Sequence, residues 1–173
     1  MIKAAVLFAD GTEEIEALTP VDVLKRAGAC CDIVSVSGKT PIGSHGVKIF
    51  ADITVNEANF SEYDVVVIPG GMPGARNISK DKAAVLGIKN AIESGKLVAA
   101  ICASPAVVLA ENRLIDGYKA TCYPAENFIN SLGENYTGKR VEVFKNLITG
   151  DGPRSAMDFA LAICENLNIV PKF

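Results

Sequence analysis

Two short runs, Asp64-Val65-Val66-Val67-Ile68 and Leu97-Val98-Ala99-Ala100-Ile101, are apolar almost without a break. A strand with one wet face alternates polar and apolar residues, whereas a continuous apolar run suits a strand covered on both faces. The residues between these runs read as a helix over about 80–94, stopped by Gly95, which is the connection a parallel pair needs. The same alternation extends through the chain. Strands are predicted over 2–8, 31–36, 118–121, 141–143 and 147–149, and helices over 13–27, 105–112, 124–132 and 154–167. Pro20 is expected to interrupt or restart the first helix, with Thr19 as a cap. Residues 38–56, with Pro41 and several glycines, suggest a small hairpin insertion. The pattern is that of one α/β domain over residues 1–173, a doubly wound, mostly parallel central sheet with helices on both faces.

Composition narrows the function classes. Hydrophobic residues make up 49% of the 173 and charged ones 21%, so a packed core is expected. A net charge of −3 without a basic run excludes nucleic acid as the main partner. Met1-Ile2-Lys3-Ala4-Ala5-Val6-Leu7-Phe8 lacks the layout of a signal peptide and reads as a first strand. No apolar stretch approaches the roughly 20 residues that span a bilayer, so no membrane partner is expected. The five cysteines show neither CxxC nor zinc spacing. Disulfides and a metal cage are therefore not expected, and the expected compartment is a reducing cytoplasm.

In doubly wound sheets ligands bind beyond the carboxyl ends of the strands. Three unusual segments lie there: Asp10-Gly11-Thr12-Glu13-Glu14-Ile15-Glu16, Pro69-Gly70-Gly71-Met72-Pro73-Gly74, and Cys102-Ala103-Ser104-Pro105. A cysteine at a strand-to-helix turn is pushed out of the core toward the next helix's N-terminus. That position should lower its pKa from about 8.5. A buried structural cysteine is the plainer reading of the same residue. Convergence of the three segments on one sheet edge favours a nucleophile.

Glu16 lies one turn into the first helix between Ile15 and Ala17 and can point inward, where a partly apolar pocket keeps a carboxyl protonated. Glu13 and Glu14 fit ordinary acids at a helix start. Gly70-Gly71 allows close approach of backbone to a ligand, and the Gly71 and Ala103 N–H groups could form an oxyanion hole. The glycine segment matches neither dinucleotide-binding nor P-loop spacing. His45, the only histidine, reads as a solvated turn residue. Cys30 and Cys31 should face opposite ways, Cys164 should be buried in a helix, and Cys122 could line the same pocket as Cys102.

Together, Gly11-Thr12-Glu13-Glu14-Ile15-Glu16, Pro20-Val21-Asp22-Val23-Leu24, Val67-Ile68-Pro69-Gly70-Gly71, Ala99-Ala100-Ile101-Cys102-Ala103 and Asp158-Phe159-Ala160-Leu161-Ala162-Ile163 resemble the DJ-1/ThiJ/PfpI superfamily, in its DJ-1/YajL-like branch. The resemblance implies a flavodoxin-like sandwich and a homodimer. It makes Cys102 the oxidation-sensitive nucleophile, Glu16 the acid bonded to its sulfur, and Gly71 and Ala103 the oxyanion amides. It further implies cofactor-independent chemistry on reactive aldehydes, of glyoxalase or protein-deglycase type, or a redox-regulated chaperone role with Cys102 oxidised to sulfinate. Three departures bear on the pocket. Tyr123 stands where some members carry histidine, His45 where some carry an arginine that reaches across the dimer, and Gly152-Pro153-Arg154-Ser155 replaces a Gly-Pro-Gly-Thr pattern. The expected pocket therefore includes Gly70, Tyr123, Arg154 and His45. Ala103 stands where PfpI-type peptidases have histidine, which argues against peptidase activity.

Overall fold

The computed structural model describes residues 1–173. Its strands are β1 (Lys3–Phe8), β2 (Cys30–Ser35), β3 (Ile53–Thr54), β4 (Val65–Ile68), β5 (Leu97–Ile101), β6 (Val141–Phe144) and β7 (Leu147–Gly150). They form one seven-stranded sheet in the order β3-β2-β1-β4-β5-β7-β6. All neighbours are parallel except β6 and β7. The helices are α1 (Glu14–Arg26), α2 (Gly74–Lys80), α3 (Lys82–Glu93), α4 (Glu126–Leu132) and α5 (Ala156–Asn166). A π-helical segment, Pro105–Ala110, follows β5. No helix is long and apolar enough to cross a membrane.

The central strands divide their side chains by parity. Ala5, Leu7, Val66, Ile68, Val98 and Ala100 face a core shared with α2, α3, the π-helical segment and α4. Ala4, Val6, Val65, Val67, Ala99 and Ile101 face a second core shared with α1 and α5. Both faces are dry, which is why β4 and β5 read as unbroken apolar runs. This is the expected doubly wound, flavodoxin-like architecture. The chain builds outward from β1 to β3, then returns to place β4 on the other side of β1, so the topological switch lies between β1 and β4.

Several local expectations are corrected. α1 runs unbroken through Pro20. Proline there removes only the bond to the Glu16 carbonyl, and burial of Ala17, Pro20, Val21 and Leu24 against the sheet outweighs that loss. The predicted helix over 80–94 is preceded by a further helix, α2. Asp81 separates the two, ending α2 and accepting the Ala84 N–H at 2.8 Å as the cap of α3. Instead of a full hairpin, residues 38–56 contain one bridge, Ile42–Lys48, and then β3, which extends the sheet beside β2. Residues 118–121 make a single bridge, Ala120–Tyr136, because the Thr121 N–H goes to the Thr149 hydroxyl and not to a ladder carbonyl.

Candidate active site

β5 delivers Cys102 to the carboxyl edge of the sheet. Its φ is +64°, in the left-handed region that a residue with a Cβ rarely enters. Such a conformation costs on the order of 1–3 kcal/mol and persists only where the surroundings hold it. Here they do. The Cys102 N–H donates to the Gly150 carbonyl at 2.9 Å, and its carbonyl accepts the Tyr123 N–H at 2.8 Å. Ala99, Ala100 and Ala103 are buried beside it and leave room for the turn.

The loop after β4 joins this elbow to α1. The Glu13 N–H donates to the Gly70 carbonyl at 3.1 Å, and the Gly70 N–H donates to Glu16 Oε2 at 2.9 Å. The Ser104 hydroxyl donates to the Pro69 carbonyl. A Cβ on Gly70 would lie 2.6 Å from Cys102 Cβ and 2.7 Å from Glu16 Oε2, so the position must be glycine. Gly71, at φ +84°, and Ala103 both present their backbone N–H groups to the Cys102 sulfur. Sequence reasoning missed Thr12 and Ser104. It took Ser104 only as a small residue, and the buried Thr12 hydroxyl accepts the Ala9 N–H and shapes the turn into α1.

Glu16 is fully buried, and its Oε1 has no hydrogen-bond donor from the chain. Burial raises its pKa to about 7, against the lowering effects of Cys102 and of the Gly70 N–H. The Cys102 thiol is also pushed up, first by burial and then by an ionised Glu16, with the Gly71 and Ala103 amides acting in the opposite direction. This corrects the expectation of a lowered thiol pKa, because the elbow is drier than a helix N-terminus alone suggests. A proton on Glu16 removes the repulsion and supplies a donor, so thiol and carboxyl act as one proton-sharing unit.

His45 stands apart from this pair. Its Nδ1 lies 3.0 Å from Glu14 Oε2, and Glu14 also accepts the His45 N–H at 2.8 Å and the Ser44 hydroxyl at 3.1 Å. These donors hold the Glu14 carboxyl down at about 2 despite burial. The ligand atoms of Glu13, Glu14 and His45 lie within 4.8 Å of one another, but both Glu14 oxygens are engaged in anchoring the 43–47 loop. Tyr123 and Arg154 line a cavity of about 410 Å³ with Pro124, Asp151, Gly152 and Pro153. A larger one, about 510 Å³, lies by Phe60, Gly87 and Lys96, toward the strands' amino ends. Cys122 is fully buried among core residues including Val107 and Leu132, so it packs the core and does not line the pocket. Cys30 is exposed, and Cys31 and Cys164 are buried.

The profile of the DJ-1/PfpI family matches residues 2–166. The chain belongs to the DJ-1/PfpI family. It is 37% identical over 169 residues to the Danio rerio Parkinson disease protein 7 homolog, covering 95% of this chain and 89% of that one. It is 41% identical over 162 residues to Arabidopsis thaliana Protein DJ-1 homolog B, covering 92% of this chain but spanning only 36% of the plant protein's length. A Caenorhabditis elegans relative, 32% identical over 161 residues (91% of this chain, 84% of that one), is named glutathione-independent glyoxalase DJR-1.2. Among solved structures, oxidized Toxoplasma gondii DJ-1 superposes with a TM-score of 0.92 at 40% identity, over 96% of this chain and 91% of that one. The Toxoplasma structure shares the fold described above.

Proposed function

We propose that this DJ-1/PfpI member acts on reactive aldehydes through Cys102 without a cofactor, converting a 2-oxoaldehyde such as methylglyoxal to its 2-hydroxy acid. The observation that carries the reading is the buried, donor-free Glu16 Oε1 beside a cysteine held at positive φ. A raised carboxyl is a proton reservoir at neutral pH, and a nucleophile beside a proton carrier is what aldehyde addition requires. The name of the nematode relative supports the substrate class.

In this reading the Cys102 thiol passes its proton to the ionised Glu16 carboxylate as the sulfur adds to the aldehyde carbon, and the carbonyl π electrons move to oxygen. The Gly71 and Ala103 N–H groups receive that oxyanion, and Glu16 protonates it to the hemithioacetal. The hydrogen on the former aldehyde carbon leaves as a proton and returns to the adjacent carbon through an enediol, giving a thioester. Water then cleaves the thioester, releasing the hydroxy acid and restoring the thiol. The sum is RCOCHO + H₂O → RCH(OH)COOH. Removal of an aldehyde from an early amine or thiol adduct, the deglycase variant, uses the same groups. The active form is proposed to be a homodimer.

A second reading is a redox sensor or redox-regulated chaperone, in which peroxide takes Cys102 to sulfinate. The oxidized state of the Toxoplasma relative favours it, and a protonated Glu16 would donate to the sulfinate oxygen. Incubation of reduced protein with methylglyoxal, with lactate measured before and after peroxide pretreatment, decides between the two. Lactate formed only by reduced protein supports the enzyme. No lactate, with peroxide-dependent suppression of aggregation of a client protein, supports the sensor.

A further inference from the structure

The cavity lined by Tyr123, Pro124, Asp151, Gly152, Pro153 and Arg154 is built on the two segments bonded to the cysteine backbone. The Tyr123 N–H is bonded to the Cys102 carbonyl, and the Cys102 N–H to the carbonyl of Gly150, immediately before Asp151. The cavity thus adjoins the backbone of the elbow that carries Cys102. A Cβ on Gly152 would meet the Tyr123 ring at 3.3 Å, so the glycine keeps the aromatic wall in place.

The charges lining and flanking this cavity are unequally committed. Arg140 binds Asp158 at 2.6 Å and donates to the Arg154 carbonyl, so that guanidinium is engaged. Asp151 lines the same cavity, and its carboxylate makes neither an ion pair nor a hydrogen bond within the chain, so the wall offers one unpaired anion beside one unpaired cation. The Arg154 guanidinium is exposed, lines the cavity, and makes neither an ion pair nor a hydrogen bond within the chain. A planar cation with five free donors matches a carboxylate. Resting on the aldehyde reading, we infer that Arg154 is a specificity-determining residue. It selects carbonyl substrates whose non-reacting end carries a carboxylate, with the connecting carbons against Tyr123.

The test compares kcat/KM for 4,5-dioxopentanoate, a 2-oxoaldehyde ending in a carboxylate, with kcat/KM for its neutral methyl ester. Wild type should prefer the acid. Arg154→Gln should lower the acid-to-ester ratio about tenfold, and Arg154→Lys should retain most of it. An unchanged ratio in Arg154→Gln, or a wild-type preference for the ester, overturns the assignment. If the wild type turns over no 2-oxoaldehyde, the aldehyde reading fails, and Arg154 is judged by alkylation of Cys102, read by peptide mass spectrometry. A guanidinium facing the site should make the iodoacetate-to-iodoacetamide rate ratio fall about threefold in Arg154→Gln at low ionic strength, and an unchanged ratio overturns the charge selection.

Discussion

Glu16 holds a carboxyl in dry surroundings beside a sulfur, and that costs stability wherever the carboxyl is ionised. Its folded pKa of about 7 lies above the ordinary value of 4.5. The unfolded chain therefore releases this proton first, and stability declines as pH rises from about 4.5 through about 7. The difference corresponds to about 3 kcal/mol at the alkaline end. Glu16→Gln keeps the shape and a donor but removes the titration. Urea unfolding at pH 5 and pH 8 should show the wild type losing stability relative to Glu16→Gln over that range, and parallel pH dependences would contradict the assigned pKa. The same variant cannot exchange the proton, so methylglyoxal turnover should fall about 100-fold or more. Cys102→Ser should lose more still, measured as lactate formation under saturating substrate. Peroxide should modify Cys102 ahead of exposed Cys30 and of buried Cys31, Cys122 and Cys164, read by peptide mass spectrometry.

Among the elements, the loop after β4 is the most constrained piece of the site. It touches the cap of α1 at Glu13 and the helix itself at Glu16, and the elbow through Ser104 and Cys102. Gly70→Ala would force its new methyl into both members of the proton-sharing pair, since a Cβ there lies under 3 Å from each. Turnover should drop about as far as in Glu16→Gln, with circular dichroism unchanged in shape and melting lowered by several degrees. Wild-type turnover in Gly70→Ala would mean that the loop is not held against the pair. The 43–47 loop is held differently, by donors converging on one carboxylate. Glu14→Ala leaves the His45 N–H without its acceptor and should cost about 1–3 kcal/mol by urea unfolding. Because the Glu14 pKa is depressed to about 2, its contribution is present above about 4.5 and is lost as pH falls toward 2.

For the whole molecule, the arrangement of apolar surface supports the proposed homodimer. Ile15, Ile42, Val47 and Phe50 are exposed on or near the loop that Glu14 anchors. Sedimentation velocity should give a dimer, and Ile15→Lys should shift it toward monomer. His45 lies on the same loop, bonded to Glu14 and not to the Cys102 pair. His45→Ala should therefore change turnover by less than about tenfold, or under ~1.4 kcal/mol, while it remains a dimer. A dimeric His45→Ala protein as inactive as Cys102→Ser would return histidine to the chemistry.

The apolar runs over 64–68 and 97–101 were legible as doubly buried parallel strands because burial on both faces leaves no polar alternation to interpret. Cys102, Glu16 and the Gly70-Gly71 turn were legible as candidates because strand ends in such sheets converge on one edge, and the family resemblance fixed their pairing. What sequence could not supply were quantities set by contacts between distant segments. Whether Pro20 breaks α1 depends on how much apolar surface the helix buries. Whether Thr121 joins a ladder depends on the Thr149 hydroxyl, and whether Cys122 reaches the pocket depends on which face of the sheet receives it. The pKa of Cys102 departs from its local expectation for the same reason. A helix start is a local feature and can be read along the chain, but the desolvation of the elbow and the nearness of an ionisable Glu16 exist only once β1, β4 and β5 are side by side.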